Sequence, residues 1–331
     1  MNIAILTQPL YNNYGGILQN YALQKVLKEL GHNPVTIDWH NTLALKWYLR
    51  GLARSLIKHA PYRPFVRKRP SHIDSFIHDY IETTPSVIRY HRSQLRGVDA
   101  VVVGSDQVWR FEYNRSTLTD MFLGFARDYK GLRIAYAASF GLDDWDAPAS
   151  LRRACSALSK SFDYVSVREE SGVSLCNKEL GVDAVQMPDP VLLLKASDYL
   201  DLCKEIPQCA QPFICAYVLD SNPVIDSKIQ QIQERTGYPV RRFSIGAAAT
   251  WTVQEWLAQF RDAGHVVTDS YHGALFSTIF GKEYSLVENE VRGRARFTQL
   301  REITDLNHEY NRGRSFLKEA LSRGLVDTTK I

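Results

Sequence analysis

Short apolar runs alternate with amphipathic stretches along the first half of the chain. Runs rich in Val, Ile and Ala are typical of strands buried on both faces of a parallel sheet. The first half contains such runs at Ile3–Leu6, Val35–Asp38, Ala100–Val103, Arg133–Ala137 and Tyr164–Val167. Between the first two, apolar positions recur at helical spacing from Ile17 to Leu30, and Gly31 ends the stretch. This order of strand, helix and strand predicts an α/β fold.

A second series of the same kind follows in the C-terminal half. It predicts strands and helices at Phe213–Val218, Pro223–Thr236, Val240–Ile245 and Val253–Phe260. The stretch 188–212 between the two series carries several prolines and is the natural junction. We therefore predict two Rossmann-like domains, 1–195 and 196–331, the second ending in a C-terminal helical tail. In such folds ligands bind at the carboxyl ends of the strands, which here would line a central cleft.

One histidine lies where a predicted strand stops and a predicted helix begins. Gly264–Val267 is a short β-branched run, and Ala274–Gly281 reads as a helix closed by glycine. His272 therefore falls in the first helical turn, where unpaired N–H groups and the positive end of the helix dipole favour a bound anion. A histidine that only caps or packs at the helix start is the alternative.

Polar residues follow other predicted strands as well. The loop 12–16 comes after the first strand, and its N–H groups suit a phosphate or a sugar. The segment 104–107 follows the strand at Ala100–Val103, with an N-capped turn as the alternative. The guanidinium group of arginine binds phosphate or carboxylate through two parallel hydrogen bonds. A small anionic ligand is therefore indicated by the arginines that follow predicted strands, which are Arg168, Arg292, Arg294 and Arg296.

Two patterns of other enzyme classes are incomplete. Gly15 and Gly16 are adjacent, whereas a dinucleotide-binding loop spaces its glycines as G-x-G-x-x-G, which argues against a dehydrogenase. Asp144-Trp145-Asp146 has the D-x-D spacing of metal-dependent sugar transfer. Pro148 behind it predicts a helix start instead, with the acidic residue as its cap. We expect no metal site.

The positive charge of the chain is concentrated in one segment. The 331 residues carry a formal net charge of +4 and 45% hydrophobic residues, which is enough for two cores. Eight Lys or Arg and no acid lie between Asp38 and Asp74. On a helix they would form a basic stripe, because a cation recurs every four residues at Lys46, Arg50, Arg54 and Lys58. The stripe suits an anionic membrane surface or a phosphorylated substrate, and a solvated helix face is the alternative.

The sequence carries no signal for secretion, membrane insertion or nucleic-acid binding. Met1–Leu6 lacks a basic n-region, and no apolar run approaches the roughly 18 residues of a spanning helix. No nucleic-acid-binding motif accompanies the basic segment. The five cysteines form no C-x-x-C pair and are expected to be reduced thiols. We expect a cytoplasmic protein with peripheral contact at the inner membrane face through residues 44–69.

Six motifs run in order over most of the chain. They are Asn13–Gln24, Gly104–Trp109, Tyr136–Gly141, Ser166–Glu169, Asp189–Pro190 and Asp269–Gly273. Through these motifs the chain resembles the polysaccharide pyruvyl transferase family. The segment 41–98 and the C-terminal end lie outside the resemblance.

The resemblance implies a transferase with a fold similar to two-domain GT-B glycosyltransferases. Its expected activity moves pyruvate from phosphoenolpyruvate onto two hydroxyls of a sugar, as a ketal, in a precursor of a surface polysaccharide such as an exopolysaccharide or capsule. It implies no cofactor beyond phosphoenolpyruvate as co-substrate, and a nucleotide- or lipid-linked sugar acceptor. Family members often have an arginine two residues before the histidine, where this chain has Ser270.

The resemblance also assigns roles to residues. His272 would be the catalytic acid–base group. The residues expected to bind the donor are Arg168, Ser270, Tyr271, Gly273, Arg292 and Arg294. The residues expected to bind the acceptor are Asn13, Tyr14, Gly15, Gly16, Gln19, Ser105, Asp106, Gln107 and Trp109. Tyr14 or Trp109 would stack on a sugar ring.

Two other functions remain open from the sequence. A GT-B glycosyltransferase that uses a nucleotide sugar usually has an E-x7-E pair in its second domain, whereas Glu283 and Glu290 are one residue too close. A sugar-binding relative that has kept the fold without the reaction is the third possibility, because Ser270 replaces a candidate ligand of the donor.

Overall fold

A computed structural model of the protein describes residues 1–40, 69–244, 250–288, 297, 300 and 303–326. Within these residues the strands are β1 (Asn2–Leu6), β2 (Asn33–Thr36), β3 (Ala100–Val103), β4 (Leu132–Ala138), β5 (Tyr164–Val167), β6 (Val185–Gln186), β7 (Ile214–Tyr217), β8 (Val240–Phe243), β9 (His265–Thr268) and β10 (Tyr284–Leu286). The helices are α1 (Tyr14–Glu29), α2 (Ser71–Tyr80), α3 (Ala149–Ser159), α4 (Glu170–Leu175), α5 (Ala196–Leu202), α6 (Pro223–Thr236), α7 (Val253–Asp262), α8 (Tyr271–Ile279) and α9 (Leu306–Val326).

The strands form two parallel sheets. The first has the order β2-β1-β3-β4-β5-β6 and the second the order β10-β9-β7-β8. Alternation along β1 sends Ile3 and Ile5 to one apolar core and Ala4 and Leu6 to another, so both faces of the first sheet are covered. This explains the nearly continuous apolar strands and confirms the predicted α/β class.

The ends of the predicted elements lie within two or three residues of those in the structure, and the start of the first helix is the informative difference. We predict the first helix to begin at Ile17, but α1 begins at Tyr14 and places Gly15 and Gly16 in its first turn. Both glycines are buried. The predicted glycine loop is therefore the start of a helix. Because glycine has no side chain, the first turn of α1 can lie close to the residues packed against it.

The two sheets are joined by extensive packing. The predicted boundary at 195/196 lies in the connection between Gln186 and Ile214, which end β6 and begin β7. The C-terminal helix α9, predicted as a tail of the second domain, packs on the first sheet instead. There the Phe316 ring lies 5.9 Å from that of Tyr136 and 6.2 Å from that of Tyr164, measured between centroids. Burial of this apolar face, not order along the chain, decides where the helix docks.

Several sequence predictions lie outside the described residues. They are the basic stripe from Lys46 to Lys58 and the arginines Arg292, Arg294 and Arg296. Of the basic segment 44–69, only Arg69 is described. Among the described helices, none is long and apolar enough to cross a membrane.

Candidate active site

A cavity of about 580 Å³ lies between the two sheets. Its wall is built from segments that follow the carboxyl ends of β1, β2, β3, β7 and β9. The lining residues are Gln8, Pro9, Leu10, Tyr11, Asn12, Asn13, Trp39, His40, Asp106, Gln107, Tyr113, Tyr217, Leu219, Ser270, Tyr271 and His272. Parallel strands of both sheets thus bring their polar ends to one space, as expected for this class of fold.

His272 is the second residue of α8 and reaches this cavity from the second sheet. Ser270 caps the helix, since its hydroxyl accepts a hydrogen bond of 3.2 Å from the Gly273 N–H. The imidazole Nε2 lies 3.5 Å from Asp189 Oδ2, which is too long for a well-formed hydrogen bond, and no other described group bonds to this nitrogen. The first-turn position predicted for His272 is confirmed.

Asp189 belongs to the first sheet's side and is completely buried. Its Oδ1 accepts a hydrogen bond of 3.1 Å from the Val191 N–H, and its Oδ2 accepts one of 3.0 Å from Arg168 Nη1. Burial alone would raise the pKa of this carboxyl, but His272, Arg168 and the Val191 N–H outweigh burial and hold that pKa below its usual value. An ionised carboxylate therefore lies beside the imidazole and can orient it.

Arg168 does not line the cavity, which corrects its prediction as a donor ligand. Its guanidinium is fully buried and donates to Glu169 at 3.1 Å, Asp189 at 3.0 Å and the Ser139 hydroxyl at 3.1 Å. It also stacks 4.5 Å from the ring centre of Tyr271, which does line the cavity. Because the guanidinium is already bonded to the neighbouring carboxylates, its role is to hold those carboxylates in place.

Asp106 is the one carboxylate among the described lining residues, and no Lys or Arg is found among them. Its backbone has a φ of 68°, a left-handed conformation that non-glycine residues adopt rarely. Asn13 Nδ2 lies 3.4 Å from Asp106 Oδ2, and Arg168 Nη1 lies 3.8 Å from Oδ1. The described wall therefore combines aromatic and apolar surface with a single carboxylate, and it contains no Lys or Arg side chain.

A second histidine lines the cavity from the first sheet. His40 Nε2 lies 3.0 Å from Oδ2 of the buried Asp38. Asp38 also accepts a hydrogen bond of 2.6 Å from the Ser86 hydroxyl and another from Arg69. Although burial opposes it, the contacts with His40, Ser86 and Arg69 lower the pKa of Asp38.

Neither aromatic residue predicted to stack on a sugar is free to do so. Trp109 is completely buried, stacks on Phe122 with ring centroids 4.7 Å apart, and donates its indole N–H to Met121. Tyr14 stacks on Trp256 at 5.5 Å and donates its hydroxyl to the Trp251 carbonyl at 2.7 Å. Burial raises the pKa of Tyr14 to about 12. Both side chains hold the fold together, and Tyr14 joins the two sheets.

Other predicted acceptor residues support the wall without forming it. Gln19 donates to the Thr7 hydroxyl at 2.9 Å and accepts from the Ser105 N–H at 3.1 Å, while the Ser105 hydroxyl donates to the Ala137 carbonyl. Gly15 packs directly against the His272 ring. The predicted site residues that do line the cavity are Asn13, Asp106, Gln107, Ser270, Tyr271 and His272. Gly16 and Gly273 lie outside this lining.

Four lining residues were not predicted from the sequence, namely Tyr11, Trp39, His40 and Tyr113. Trp39 and His40 follow the carboxyl end of β2, so the strand-end rule that selected the other segments could have found them. Tyr113 carries no such signal, because it lies in a turn-rich segment well beyond β3. It is 41% exposed, and Arg110 lies 4.5 Å from its ring centre.

No group of three or more His, Cys, Asp or Glu arranged to hold a metal ion occurs in the part of the chain that the structure describes. The D-x-D segment has a structural role. The prediction that its acidic residue caps α3 is wrong. Asp146 instead accepts a hydrogen bond of 3.3 Å from the Phe111 N–H. Pro148 occupies the capping position instead.

A family model described as polysaccharide pyruvyl transferase matches residues 13–284. UDP-GlcNAc 2-epimerase from Methanocaldococcus jannaschii is similar in structure, with 11% identity, coverage of 97% of this chain and 100% of that chain, and a TM-score of 0.51. A Listeria monocytogenes protein assigned as a UDP-N-acetylglucosamine 2-epimerase has 10% identity, coverage of 97% and 90%, and a TM-score of 0.50. No curated protein sequence matches. The structural similarities confirm the predicted GT-B-like pair of Rossmann-like domains.

Proposed function

The chain belongs to the polysaccharide pyruvyl transferase family and is a transferase that modifies polysaccharide, and we propose that it moves pyruvate from phosphoenolpyruvate onto a sugar as a ketal. The observation that supports this most is that His272, which lines the cavity between the two sheets, is paired with the buried Asp189 behind it. The pair supplies a proton donor with a carboxylate partner, which the reaction needs at the vinyl carbon of the donor.

His272 would protonate C3 of phosphoenolpyruvate while a sugar hydroxyl attacks C2. A second hydroxyl of the sugar would then displace phosphate from C2. Asp189 would orient the imidazole and stabilise its protonated form, as a buried carboxylate does for a catalytic histidine. Proton transfer by a positioned group contributes about 10²–10⁴-fold to rate.

Two helix N-termini support binding of the donor's anionic groups. α1 and α8 both begin at the cavity, through Asn13 and Ser270. The first turn of α1 has no side-chain cap and no acidic residue, so its N–H groups and the helix dipole favour phosphate or carboxylate. Arg292 and Arg294 remain proposed donor ligands outside the described residues.

The opposite part of the wall supports a sugar acceptor. Trp39 and Tyr113 contribute aromatic rings to the lining, the ring of Tyr113 being the exposed one, and the amide side chains of Gln8, Asn12 and Gln107 line the same cavity. Apolar surface with a few convergent polar groups is what a sugar ring and its hydroxyls require. We extend the proposal to an acceptor that is nucleotide- or lipid-linked.

A phosphate-release assay tests the proposal. The wild type is incubated with phosphoenolpyruvate and a panel of nucleotide- and lipid-linked sugars. Released phosphate is measured, and the masses of the sugar products are determined by mass spectrometry. We expect phosphate release that depends on the sugar, and a product heavier by one pyruvic acid less one water. His272→Asn should lower kcat by about 10²–10⁴-fold. Release of nucleoside diphosphate from a nucleotide sugar, without phosphoenolpyruvate, would instead identify a glycosyltransferase.

His78→Gln is the matched control for this assay. His78 Nδ1 lies 2.9 Å from Asp79, so it is also a histidine–aspartate pair, but its side chain is 88% exposed and is not among the residues that line the cavity. Its substitution should leave turnover unchanged.

Peripheral contact of a cytoplasmic enzyme with the inner membrane face is a separate proposal, based on the basic stripe. Replacing Lys46, Arg50, Arg54 and Lys58 with glutamine should abolish sedimentation with anionic liposomes at low salt. Unchanged sedimentation would refute membrane contact through this segment and leave the proposed reaction untouched.

A further inference from the structure

We propose that His40, held by Asp38, is a second proton carrier of the same cavity and acts on the acceptor hydroxyls. The proposal rests on the function above and adds a catalytic residue to it. Its structural basis is that two histidines from different sheets face one cavity, and that each has a buried aspartate at its Nε2 atom.

The surroundings of His40 fit this role. Asp38 is 3% exposed, and its Oδ2 is 3.0 Å from His40 Nε2, so the carboxylate can accept the Nε2 proton and stabilise the imidazolium. Nδ1 is then the nitrogen that exchanges a proton with a substrate. Nε2 keeps its proton in both states of the proposed carrier, the neutral one with Nδ1 free and the protonated one, so Asp38 is the partner of each. Arg69 Nη2 also lies 3.2 Å from Nε2 and donates to Oδ1 of the same carboxylate.

The remaining groups around His40 keep Asp38 fixed. The Ser86 hydroxyl and Arg69 donate to its two carboxylate oxygens, and Arg69 also pairs with Asp74 at 3.3 Å. The His40 N–H donates to the Val87 carbonyl at 2.8 Å, which fixes the backbone. Trp39, the preceding residue, lines the cavity beside it. His40 is therefore a positioned side chain at the part of the wall assigned to the acceptor.

The proposed reaction needs two carriers because protons move on two sides of C2. In the first step His272, protonated, gives its proton to C3, the first hydroxyl oxygen bonds to C2, and neutral His40 takes the proton of that hydroxyl. In the second step the second hydroxyl oxygen bonds to C2 and the bond from C2 to the phosphate oxygen breaks. His272 takes the proton of this hydroxyl, and His40 gives its proton to the leaving phosphate. Both histidines end as they began, and the products are the ketal and hydrogen phosphate.

The test compares His40→Gln, His272→Asn and the control His78→Gln in the phosphate-release assay. Glutamine keeps an N–H near the position of Nε2 and so preserves the bond to Asp38. We expect His40→Gln to lower kcat by about 10²–10⁴-fold while KM for phosphoenolpyruvate stays within about threefold. Its kcat should rise with pH across the range where the wild type is flat, because hydroxide replaces the missing base.

The outcomes separate the two proposals. If the wild type releases no phosphate with any sugar, the proposed function fails and this inference fails with it. If the wild type is active and His40→Gln behaves like His78→Gln, only the inference is overturned. A lower kcat with an unchanged pH profile and an unchanged thermal midpoint would also overturn it, because it would reduce His40 to a positioning residue.

Discussion

Gly15 and His272 touch across the two sheets, and the contact leaves no room for a side chain at position 15. A Cβ built on Gly15 would lie 2.6 Å from the Cβ of His272 and nearer still to its ring atoms Cγ and Nδ1. Gly15 lies in the first turn of α1 and His272 in the first turn of α8. The glycine thus sets how closely the two helix starts approach and where the imidazole stands.

We predict that Gly15→Ala displaces His272 and lowers both turnover and stability. Alanine normally stabilises a helix by about 1 kcal/mol relative to glycine, so a loss must come from the clash. Overpacking of this kind costs about 1–3 kcal/mol. Urea unfolding and kcat measured on the same preparation check the prediction.

A double-mutant cycle tests the cause. His272→Gly removes both the ring and the Cβ that the new methyl group would meet. In that background Gly15→Ala should no longer destabilise the protein. An equal loss of stability in both backgrounds would show that the clash lies elsewhere.

Arg168→Lys should destabilise the protein although the charge is kept. Lysine cannot reproduce the guanidinium's separate bonds to Glu169, Asp189 and Ser139, and buried carboxylates would lose their donors. We expect a loss of about 2–4 kcal/mol in the free energy of unfolding. Arg92→Lys, at an exposed ion pair with Asp128, is the control and should change stability by less than about 0.5 kcal/mol.

Two aromatic substitutions should separate binding from folding. Tyr113→Ala removes an exposed ring at the cavity and should raise KM for the sugar identified in the phosphate-release assay by roughly two- to tenfold, with an unchanged thermal midpoint. Trp109→Ala removes the ring that stacks on Phe122 and leaves a cavity in the core, so it should lower the free energy of unfolding by about 3–5 kcal/mol. Equal effects of both changes on the thermal midpoint would contradict this division.

Asp120 should make the wild type less stable as pH rises. Burial raises the pKa of its carboxyl from 3.8 to about 6. A folded-state pKa above the unfolded one means that the folded protein binds the extra proton, so the associated stability is complete below about pH 4 and lost as pH rises through about 6. Because the side chain is only partly buried, we expect Asp120→Asn to exceed the wild type by about 1–2 kcal/mol at pH 7 and by less at pH 4.

Urea unfolding at both pH values measures this difference. Asp143→Asn, at an exposed carboxylate, is the control and should follow the wild type at both. A stability difference for Asp120→Asn that does not change with pH would refute the assignment.

The sequence determined the elements and the place of the principal histidine. Apolar runs such as Ala100–Val103 become fully buried strands, because a strand covered on both faces leaves a continuous apolar signal along the chain. His272 was located by the change from a β-branched run to helical spacing, which is also local. Helix α6 has the predicted bounds, Pro223–Thr236, because proline at its start and glycine after its end mark them.

Only the tertiary structure decided which polar residues face the cavity. Arg168 and Trp109 look like ligand-binding residues in sequence, but both are buried by segments distant along the chain. The pairing of His272 with Asp189, and the presence of His40 in the same wall, depend on how two sheets pack against each other. Periodicity records which face of an element is buried. It does not show which residues pack against that face, because burial and pairing arise from contacts between segments far apart in sequence.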